Sequence, residues 1–112
     1  MASTSKIVLL NESVTTDVTS DAVSLDCYSS GFVGFIKVSD RSAGTFTGTI
    51  EHSPNGIDWF TYITFTAAIA TNTSEIKFPT NDLCLTHIRA KLTTAAAPDA
   101  NVEISLCYSA KK

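Results

Sequence analysis

The chain has 112 residues, enough for one domain with a modest core but not comfortably for two. Charged residues make up 17% of it, below the usual quarter, and Ser and Thr supply most of the other polarity. The net charge of −3, with no run of Lys or Arg before the terminal pair, argues against nucleic acid as a partner. No apolar run is long enough to span a membrane, so we expect no membrane partner. A hydroxyl-rich surface with few charges costs little to desolvate and suits contact with other protein.

Residues 1–20 contain one short apolar run, Ile7 to Leu10, which is too short for a secretory signal. This run has two interpretations. It fits an arm that adds to the sheet edge of a neighbouring subunit, and it equally fits an edge strand of its own domain. We therefore expect residues 1–20 to form an N-terminal arm or edge strand, and residues 21–112 to form the domain proper.

From residue 22 onward, apolar and polar residues alternate with the period of two that is typical of β-strands. Turn-forming residues separate the alternating segments, which are 22–27, 31–40, 45–52, 59–65, 74–78, 85–93 and 102–108. With the short run near the N-terminus, this makes seven or eight strands. The spacing predicts an all-β fold, a single antiparallel β-sandwich with a jelly-roll or immunoglobulin-like strand order.

The alternation also groups residues on one face of each strand. The groups are Val23, Leu25 and Cys27; Phe32, Gly34, Ile36 and Val38; Phe46, Gly48, Ile50 and His52; Trp59, Thr61, Ile63 and Phe65; Ile76 and Phe78; Ile88, Ala90 and Leu92; and Val102, Ile104, Leu106 and Tyr108.

Residues 45–65 are typical of one β-hairpin with its tip at 53–58. Pro54 fits the second position of a type I turn, and Gly56 can adopt the left-handed conformation that returns the chain to the sheet. We expect the carboxylate of Asp58 to accept hydrogen bonds from nearby backbone N–H groups.

Trp59 opens the returning strand and has two interpretations. Buried Trp is common in small sandwiches, which favours a place in the core near the base of the hairpin. Alternatively, Trp59 forms a glycan-binding platform together with Asn55 and Asp58. Phe60 and Tyr62 share the opposite face of the strand and form a candidate partner-facing patch.

Residues with catalytic or metal-binding chemistry do not converge in the sequence pattern. Cys84 and His87 have the spacing of a metal-ligand pair, but residues three apart on a strand point to opposite faces. Glu51 and His52, as strand neighbours, also face opposite ways. The sequence has no nucleophile elbow, phosphate loop or calcium-loop motif. We expect no catalysis, no cofactor and no metal, and we expect the three cysteines, Cys27, Cys84 and Cys107, to be reduced thiols in the core.

The segment GTFTGTIEHSPNGIDWFTY (44–62) resembles a pattern found in small β-sandwich virion proteins of tailed bacteriophages. There, a strand of the form T-x-T-x-E precedes S-x-[DN]-G-x-x-W and an apolar strand, and later strands resemble HIRAKLTT and VEISLCY. The matching residues are Ser53, Asn55, Gly56 and Trp59 in the turn, with Asn55 where Asp is commoner, and Ile88, Arg89 and Leu92 in the next strand. The resemblance spans residues 22–108.

This resemblance implies a capsid decoration (cement) protein or another head or tail accessory subunit. It further implies a homo-oligomer, in particular a trimer, that binds the major capsid protein or other virion proteins on the capsid surface after assembly in the host cytoplasm. The candidate contact residues are Ile7, Val8, Leu9, Leu10, Phe60 and Tyr62. The alternative is a carbohydrate- or receptor-binding module of a phage tail or fibre, in which Asn55, Asp58 and Trp59 contact the glycan.

Overall fold

A computed structural model describes residues 3–25, 29–79 and 85–110. Its strands are β1 (Ser3–Val14), β2 (Val18–Thr19), β3 (Val23–Ser24), β4 (Ser29–Ser53), β5 (Phe60–Thr64), β6 (Thr73–Lys77) and β7 (His87–Ala110). All seven belong to one antiparallel sheet, so the predicted all-β antiparallel fold is confirmed. None of the described residues lies in a helix that is long and apolar enough to cross a membrane.

Two long strands, β4 and β7, pair along their whole length, from Ser29 opposite Ala110 to Ser53 opposite His87. Their register shifts at residues 39–45 of β4, opposite residues 95–101 of β7. Positive φ angles gather at the same place, on Asp40, Gly44, Ala96 and Ala97. Bulges and left-handed residues bend strands, so both strands turn here together. We call this region the corner.

The corner folds the sheet into two layers. The β1 layer contains β1, residues 29–39 of β4, residues 100–110 of β7, and β6. The β5 layer contains β2, β3, residues 45–53 of β4, residues 87–95 of β7, and β5. One half of each long strand therefore lies in the β1 layer, and the other half lies in the β5 layer.

Glycines let the two inner faces approach closely. A Cβ added to Gly48 of the β5 layer would lie 2.9 Å from Ile36 Cδ1 of the β1 layer. A Cβ added to Gly34 of the β1 layer would lie 2.9 Å from Ile63 Cγ2 of the β5 layer. Contacts this short require a neighbouring side chain to shift, so a larger residue at either position would disturb the packing between the layers.

Most of the apolar residues that alternation groups on one face of a strand are buried in the core. Residues with no more than 1% of their surface exposed include Ile36, Val38, Phe46, Ile50, Ile88, Ala90, Leu92, Val102, Ile104 and Leu106. The group at residues 74–78 differs, because Ile76 and Phe78 are 56% and 69% exposed. The register explains this difference: Ile76 lies opposite Phe35, which belongs to the outer face of β4.

Residues 17–21 are tied to β7 by side-chain hydrogen bonds. The carboxylate of Asp17 accepts hydrogen bonds from the backbone N–H and the hydroxyl of Thr94, both at 2.7 Å. These two hydrogen bonds lower the pKa of Asp17. The hydroxyl of Ser20 accepts from the backbone N–H of Ala90 at 2.8 Å. The segment thus closes the edge of the β5 layer beside β1.

Candidate functional site

The outer faces of the two layers differ in polarity. On the β1 layer, six residues form one surface that we call the apolar face: Val8, Val33, Phe35, Ile76, Phe78 and Cys107. Val8, Ile76 and Phe78 are 47%, 56% and 69% exposed, and the other three are half-buried. A connected apolar surface on a small domain is typical of a contact site for protein.

The strand register makes the apolar face continuous. Ser105 of β7 lies opposite Val8 of β1 and also opposite Phe35 of β4, and Phe35 lies opposite Ile76 of β6. These four residues cross the layer in one row. Ser105 is fully buried between its neighbours, and its hydroxyl donates to Glu103 Oε2 at 2.8 Å. The row therefore exposes apolar side chains without leaving a buried hydroxyl unpaired.

An ion pair borders the apolar face. Lys6 Nζ lies 2.8 Å from Glu103 Oε2 and 5.8 Å from the centre of the Phe35 ring. The hydrogen bond between them raises the pKa of Lys6 and lowers the pKa of Glu103. Since Lys6 is half-exposed, this pair adds little stability. Lys37 lies opposite Glu103 on β4, so this face carries two ammonium groups beside one carboxylate.

The outer face of the β5 layer is polar. It contains a shallow groove of about 240 Å³, lined by Thr47, Thr49, Glu51, Thr61, Lys91 and Thr93. Hydroxyl groups cover this face, whereas the corresponding positions of the β1 layer are apolar. The two outer faces of one sandwich are therefore suited to different surroundings, water on the polar side and protein on the apolar side.

Trp59 lies half-buried on the polar outer face, so its predicted place in the core is wrong. Phe60 pairs with His52, whose side chain points inward. Because neighbours on a strand alternate, Trp59, the residue before Phe60, points outward. There the guanidinium carbon of Arg89 lies 4.2 Å from the centre of the Trp59 ring. Arg89 Nε also donates to Glu51 Oε1 at 2.8 Å. One face of the indole is thus covered by a cation held in place by a carboxylate.

The hairpin tip is built from side-chain hydrogen bonds to the backbone. Gly56 has φ of 76°, as the turn pattern predicted, and its N–H donates to Ser53 Oγ at 2.8 Å. Asn55 Oδ1 accepts from the backbone N–H groups of Ile57 and Asp58, each at 2.9 Å. Asn55 therefore has the role expected of Asp58, whose carboxylate instead accepts from Asn55 Nδ2 at 2.9 Å. Both candidate glycan contacts in the loop already hold the loop together.

The four contact candidates near the N-terminus fall into two groups. Val8 is 47% exposed and Ile7 is half-buried, whereas Leu9 and Leu10 are buried. The register of β1 shifts between Val8 and Leu10, so Leu9 is the extra residue of a β-bulge. A bulge lets two successive side chains point the same way, and here both leucines enter the core. Only Val8 of this group joins the apolar face.

The other two contact candidates, Phe60 and Tyr62, do not share an exposed patch. Phe60 is 56% exposed, but Tyr62 is buried and its ring stacks on His52 with 4.5 Å between centres. The register shift in the pairing of β4 with β5 makes Tyr62 the extra residue between Thr61 and Ile63. This second bulge turns Tyr62 inward beside Ile63, so Tyr62 is a core residue in this fold.

Most of the apolar face was not predicted, although the sequence carried a signal for it. The segment from Phe32 to Ile36 has apolar residues on both sides of the strand, since Val33 and Phe35 point away from the core. A strand of an antiparallel sandwich normally has one polar side. Apolar residues on both sides of β4 therefore predict a covered outer face.

The two histidines lie at the hairpin end of the β5 layer. His52 points inward and its neighbour Glu51 points outward, so these two side chains do not form a pair, as the alternation predicted. Nδ1 of His87 lies 2.9 Å from Thr86 Oγ1. Within residues 3–25, 29–79 and 85–110, no group of three His, Cys, Asp or Glu side chains is placed to hold a metal ion.

Of the three cysteines, Cys107 lies within the described residues. Cys107 is half-buried on the apolar face, so its predicted place in the core is wrong. Its side chain points outward because it pairs with Val33, an outward-facing residue of β4. Cys27 and Cys84 lie outside the described residues. The pairing of Cys84 with His87 that the spacing suggested therefore falls outside them as well.

The sequence matches no protein-family model and no curated protein. The fold, however, is similar to solved structures of viral and prophage proteins. The SPBc2 prophage-derived protein YomS aligns over 98% of this chain and 96% of its own, with a TM-score of 0.63 and 7% identity. A chain of the cyanophage Pam1 capsid asymmetric unit aligns over 97% and 86%, with a TM-score of 0.54 and 15% identity.

A structure of infectious bursal disease virus, Gx strain, aligns over 98% of this chain with a TM-score of 0.60 and 16% identity. The chain spans 33% of the length of that viral protein, and therefore corresponds to one part of it. At such low identities, these similarities establish a shared fold, which also occurs in a prophage-derived protein, in a cyanophage capsid chain and in infectious bursal disease virus.

Proposed function

We propose that this protein is a non-enzymatic structural subunit of a bacteriophage virion. The observation that carries the proposal is the apolar face, an exposed surface on an otherwise well-packed sandwich whose opposite outer face is polar. The structures with the same fold support it, because they include a prophage-derived protein and a cyanophage capsid chain. The low fraction of charged residues fits the same role, since contact with protein then costs little desolvation.

More specifically, we propose a decoration (cement) subunit on the capsid surface, assembled in the host cytoplasm. It acts as a homo-oligomer, in particular a trimer, and binds the major capsid protein or other virion proteins. Each bound copy stabilises the head, because a ligand that binds only the assembled state shifts the equilibrium towards that state. The contact surface is the apolar face, in which Val8 is the member that was also predicted from the sequence.

Co-sedimentation tests this function. The purified protein is mixed with empty capsids assembled from the major capsid protein of the same virus, and the pelleted fraction is measured. Val33→Lys places a charge in the middle of the apolar face. We expect it to weaken binding at least about tenfold, because an unpaired ammonium group would be buried in the contact.

The matched control is Thr45→Lys, a half-buried outward position on the same strand but in the β5 layer. We expect it to bind capsids as the unaltered protein does. If the unaltered protein stays in the supernatant, the decoration function is wrong. If both variants lose binding equally while their circular dichroism remains native, the apolar face is not the contact surface.

The second candidate function is a carbohydrate- or receptor-binding module of a phage tail or fibre. One observation favours it: Trp59 lies on the outer face and not in the core. A sugar would have to use the part of the indole that Arg89 leaves open, while Asn55 and Asp58 keep their hydrogen bonds within the loop. A glycan array tests this function, and binding that disappears in a folded Trp59→Ala variant would support it over decoration.

A further inference from the structure

The β1 layer has two different edges. Among the described strands, β1 pairs with β7 and β6 pairs with β4, so β1 and β6 lie at opposite sides of this layer. The β6 edge presents two strongly exposed apolar side chains, Ile76 and Phe78, with Lys77 between them. Exposed apolar residues on an edge strand favour pairing with another strand, and most proteins avoid them.

The β1 edge presents a groove. It has a volume of about 400 Å³ and lies between β1 and the segment 18–23. Its lining residues are Val8, Leu9, Leu10, Asn11, Glu12, Val18, Thr19, Ser20, Asp21 and Val23. Half of these are apolar, two are acidic and none is basic. Leu9 and Leu10 turn into the core, so the open surface of the groove is mostly polar and acidic, and it suits an extended segment with a positive charge.

The β6 edge of the same chain has this composition. Lys77 pairs with the inward-facing Gly34 and supplies a positive charge to meet Glu12 and Asp21, whereas Ile76 points to the outer face, where Val8 of the next copy lies. Symmetric contacts fit less well, because β6 against β6 would bring two copies of Lys77 together and β1 against β1 would bring the acidic residues together.

Strand direction allows the same pairing. Neighbouring strands of the β1 layer are antiparallel in the order β1, β7, β4, β6, so β6 runs opposite to β1. When a second copy is rotated about an axis along the strands, its β1 remains opposite in direction to the β6 of the first copy. The two edges can then form an antiparallel ladder, in which backbone hydrogen bonds supply affinity and side chains supply specificity.

We propose that copies of this chain join head to tail, with the β6 edge of one copy docked in the β1 groove of the next. Each copy then uses both edges, and the contact is heterologous, so it closes into a ring when the rotation per copy divides a full turn. The β1 layers continue from copy to copy as one sheet, and all the apolar faces point to the same side of it. The inference rests on the proposed function only for the expectation that copies associate at all.

Light scattering after size exclusion tests the contact on the purified full chain. We expect the unaltered protein to be a small closed oligomer at micromolar concentration. Lys77→Glu reverses the charge of the β6 edge, and Glu12→Lys with Asp21→Lys reverses that of the groove. We expect each of these two variants to raise the dissociation constant at least about tenfold, because like charges then meet in the contact.

Mixing the two variants provides the decisive control. In the mixture, the β6 edge of the Lys77→Glu variant meets a lysine-bearing groove, and the unaltered β6 edge of the groove variant meets an acidic groove, so we expect oligomers to return. Ile57→Asp places a negative charge at an apolar, exposed position of the hairpin loop, away from both edges, and should leave assembly unchanged. Circular dichroism confirms that each variant is folded.

A monomeric unaltered protein overturns this inference, and so does a folded charge variant that assembles normally or a mixture that stays monomeric. These failures remain distinct from failure of the proposed function. A monomer that still pellets with capsids keeps the decoration function and removes only the head-to-tail contact.

Discussion

At the residue scale, His52 marks the open end of the core. Its ring stacks on the buried Tyr62, and its Nδ1 accepts a hydrogen bond from the backbone N–H of Leu85 at 3.2 Å. This bond requires an unprotonated Nδ1. Partial burial lowers the pKa of His52 below its ordinary value of 6.5, because the charged ring loses hydration. Neutral histidine is therefore part of the folded structure.

The lowered pKa of His52 predicts a pH dependence of stability. The unfolded chain binds this proton near pH 6.5, whereas the folded chain binds it only at lower pH. Neutral His52 therefore makes its full contribution to the free energy of unfolding above pH 6.5. This contribution is lost as the pH falls through the lowered pKa of the folded state. Urea unfolding of the protein at several pH values between about 5 and 8 should show this decline.

His52→Asn is the control for that measurement, because it keeps a hydrogen-bond acceptor but does not titrate. We expect the variant to be less stable overall and to show a flatter profile between about pH 5 and 7. Asp17 and Glu103 do not obscure this range, since their pKa values are lowered from ordinary values of 3.8 and 4.5. An unchanged slope in the variant would show that another group causes the dependence.

At the scale of the elements, the corner holds backbone conformations that its residues do not favour. Ala96 and Ala97 have φ angles of 60° and 52°. The left-handed region costs a residue with a Cβ about 1–2 kcal/mol, and glycine adopts it freely. Gly44, at the facing position of β4, already has this freedom with φ of 89°. On β7 two alanines therefore hold the left-handed conformation, whereas on β4 it is shared between Gly44 and one residue with a Cβ, Asp40.

Glycine at the corner should consequently be tolerated. We expect Ala97→Gly to leave the free energy of unfolding within about 0.5 kcal/mol of the original, or to raise it, because relief of strain offsets the greater entropy of the unfolded chain. Ala90→Gly is the matched control, a fully buried alanine in a regular part of β7. It should cost about 1–2 kcal/mol. Equal losses in the two variants would argue against strain at the corner.

The sequence predicted the straight parts of the strands well and the bulges poorly. Alternation identified the inward residues of β4 and β7, because one buried face requires a strict period of two. A single extra residue reverses that period, and nothing in the local composition distinguishes Leu9 or Tyr62 as that residue. The errors over Leu9 and Leu10 lie at the first bulge. Tyr62 is itself the second bulge, and the error over Trp59 follows from the reversal of faces that this bulge causes. Of the residues of the apolar face, the sequence therefore predicted only Val8, and the other exposed contact candidate, Phe60, lies in the β5 layer.

At the scale of the whole molecule, the two layers cannot be separated. β4 and β7 each pass through both layers, and their pairing continues from Ser29 opposite Ala110 to Ser53 opposite His87. The inner faces of both layers also share one core, in which Gly34 and Gly48 contact side chains from the opposite layer. Loss of either layer would expose the core face of the other.

We therefore expect unfolding in urea to be a single cooperative transition. Fluorescence of Trp59 follows the β5 layer, and far-ultraviolet circular dichroism follows both layers. The two midpoints should coincide, with a slope of about 1–3 kcal/mol per molar urea for a chain of this size. Two separated midpoints at a protein concentration that favours one oligomeric state would contradict the shared core.

The long pairing of β4 with β7 also has a consequence during synthesis. Residues 87–110, the partner common to β1 and to residues 29–53, are synthesised after both of them. Neither can complete its ladder until β7 is available, so both strands stay partly unpaired in the nascent chain until then. Protection by chaperones in that interval, and rapid closure once β7 emerges, would determine the yield of native protein.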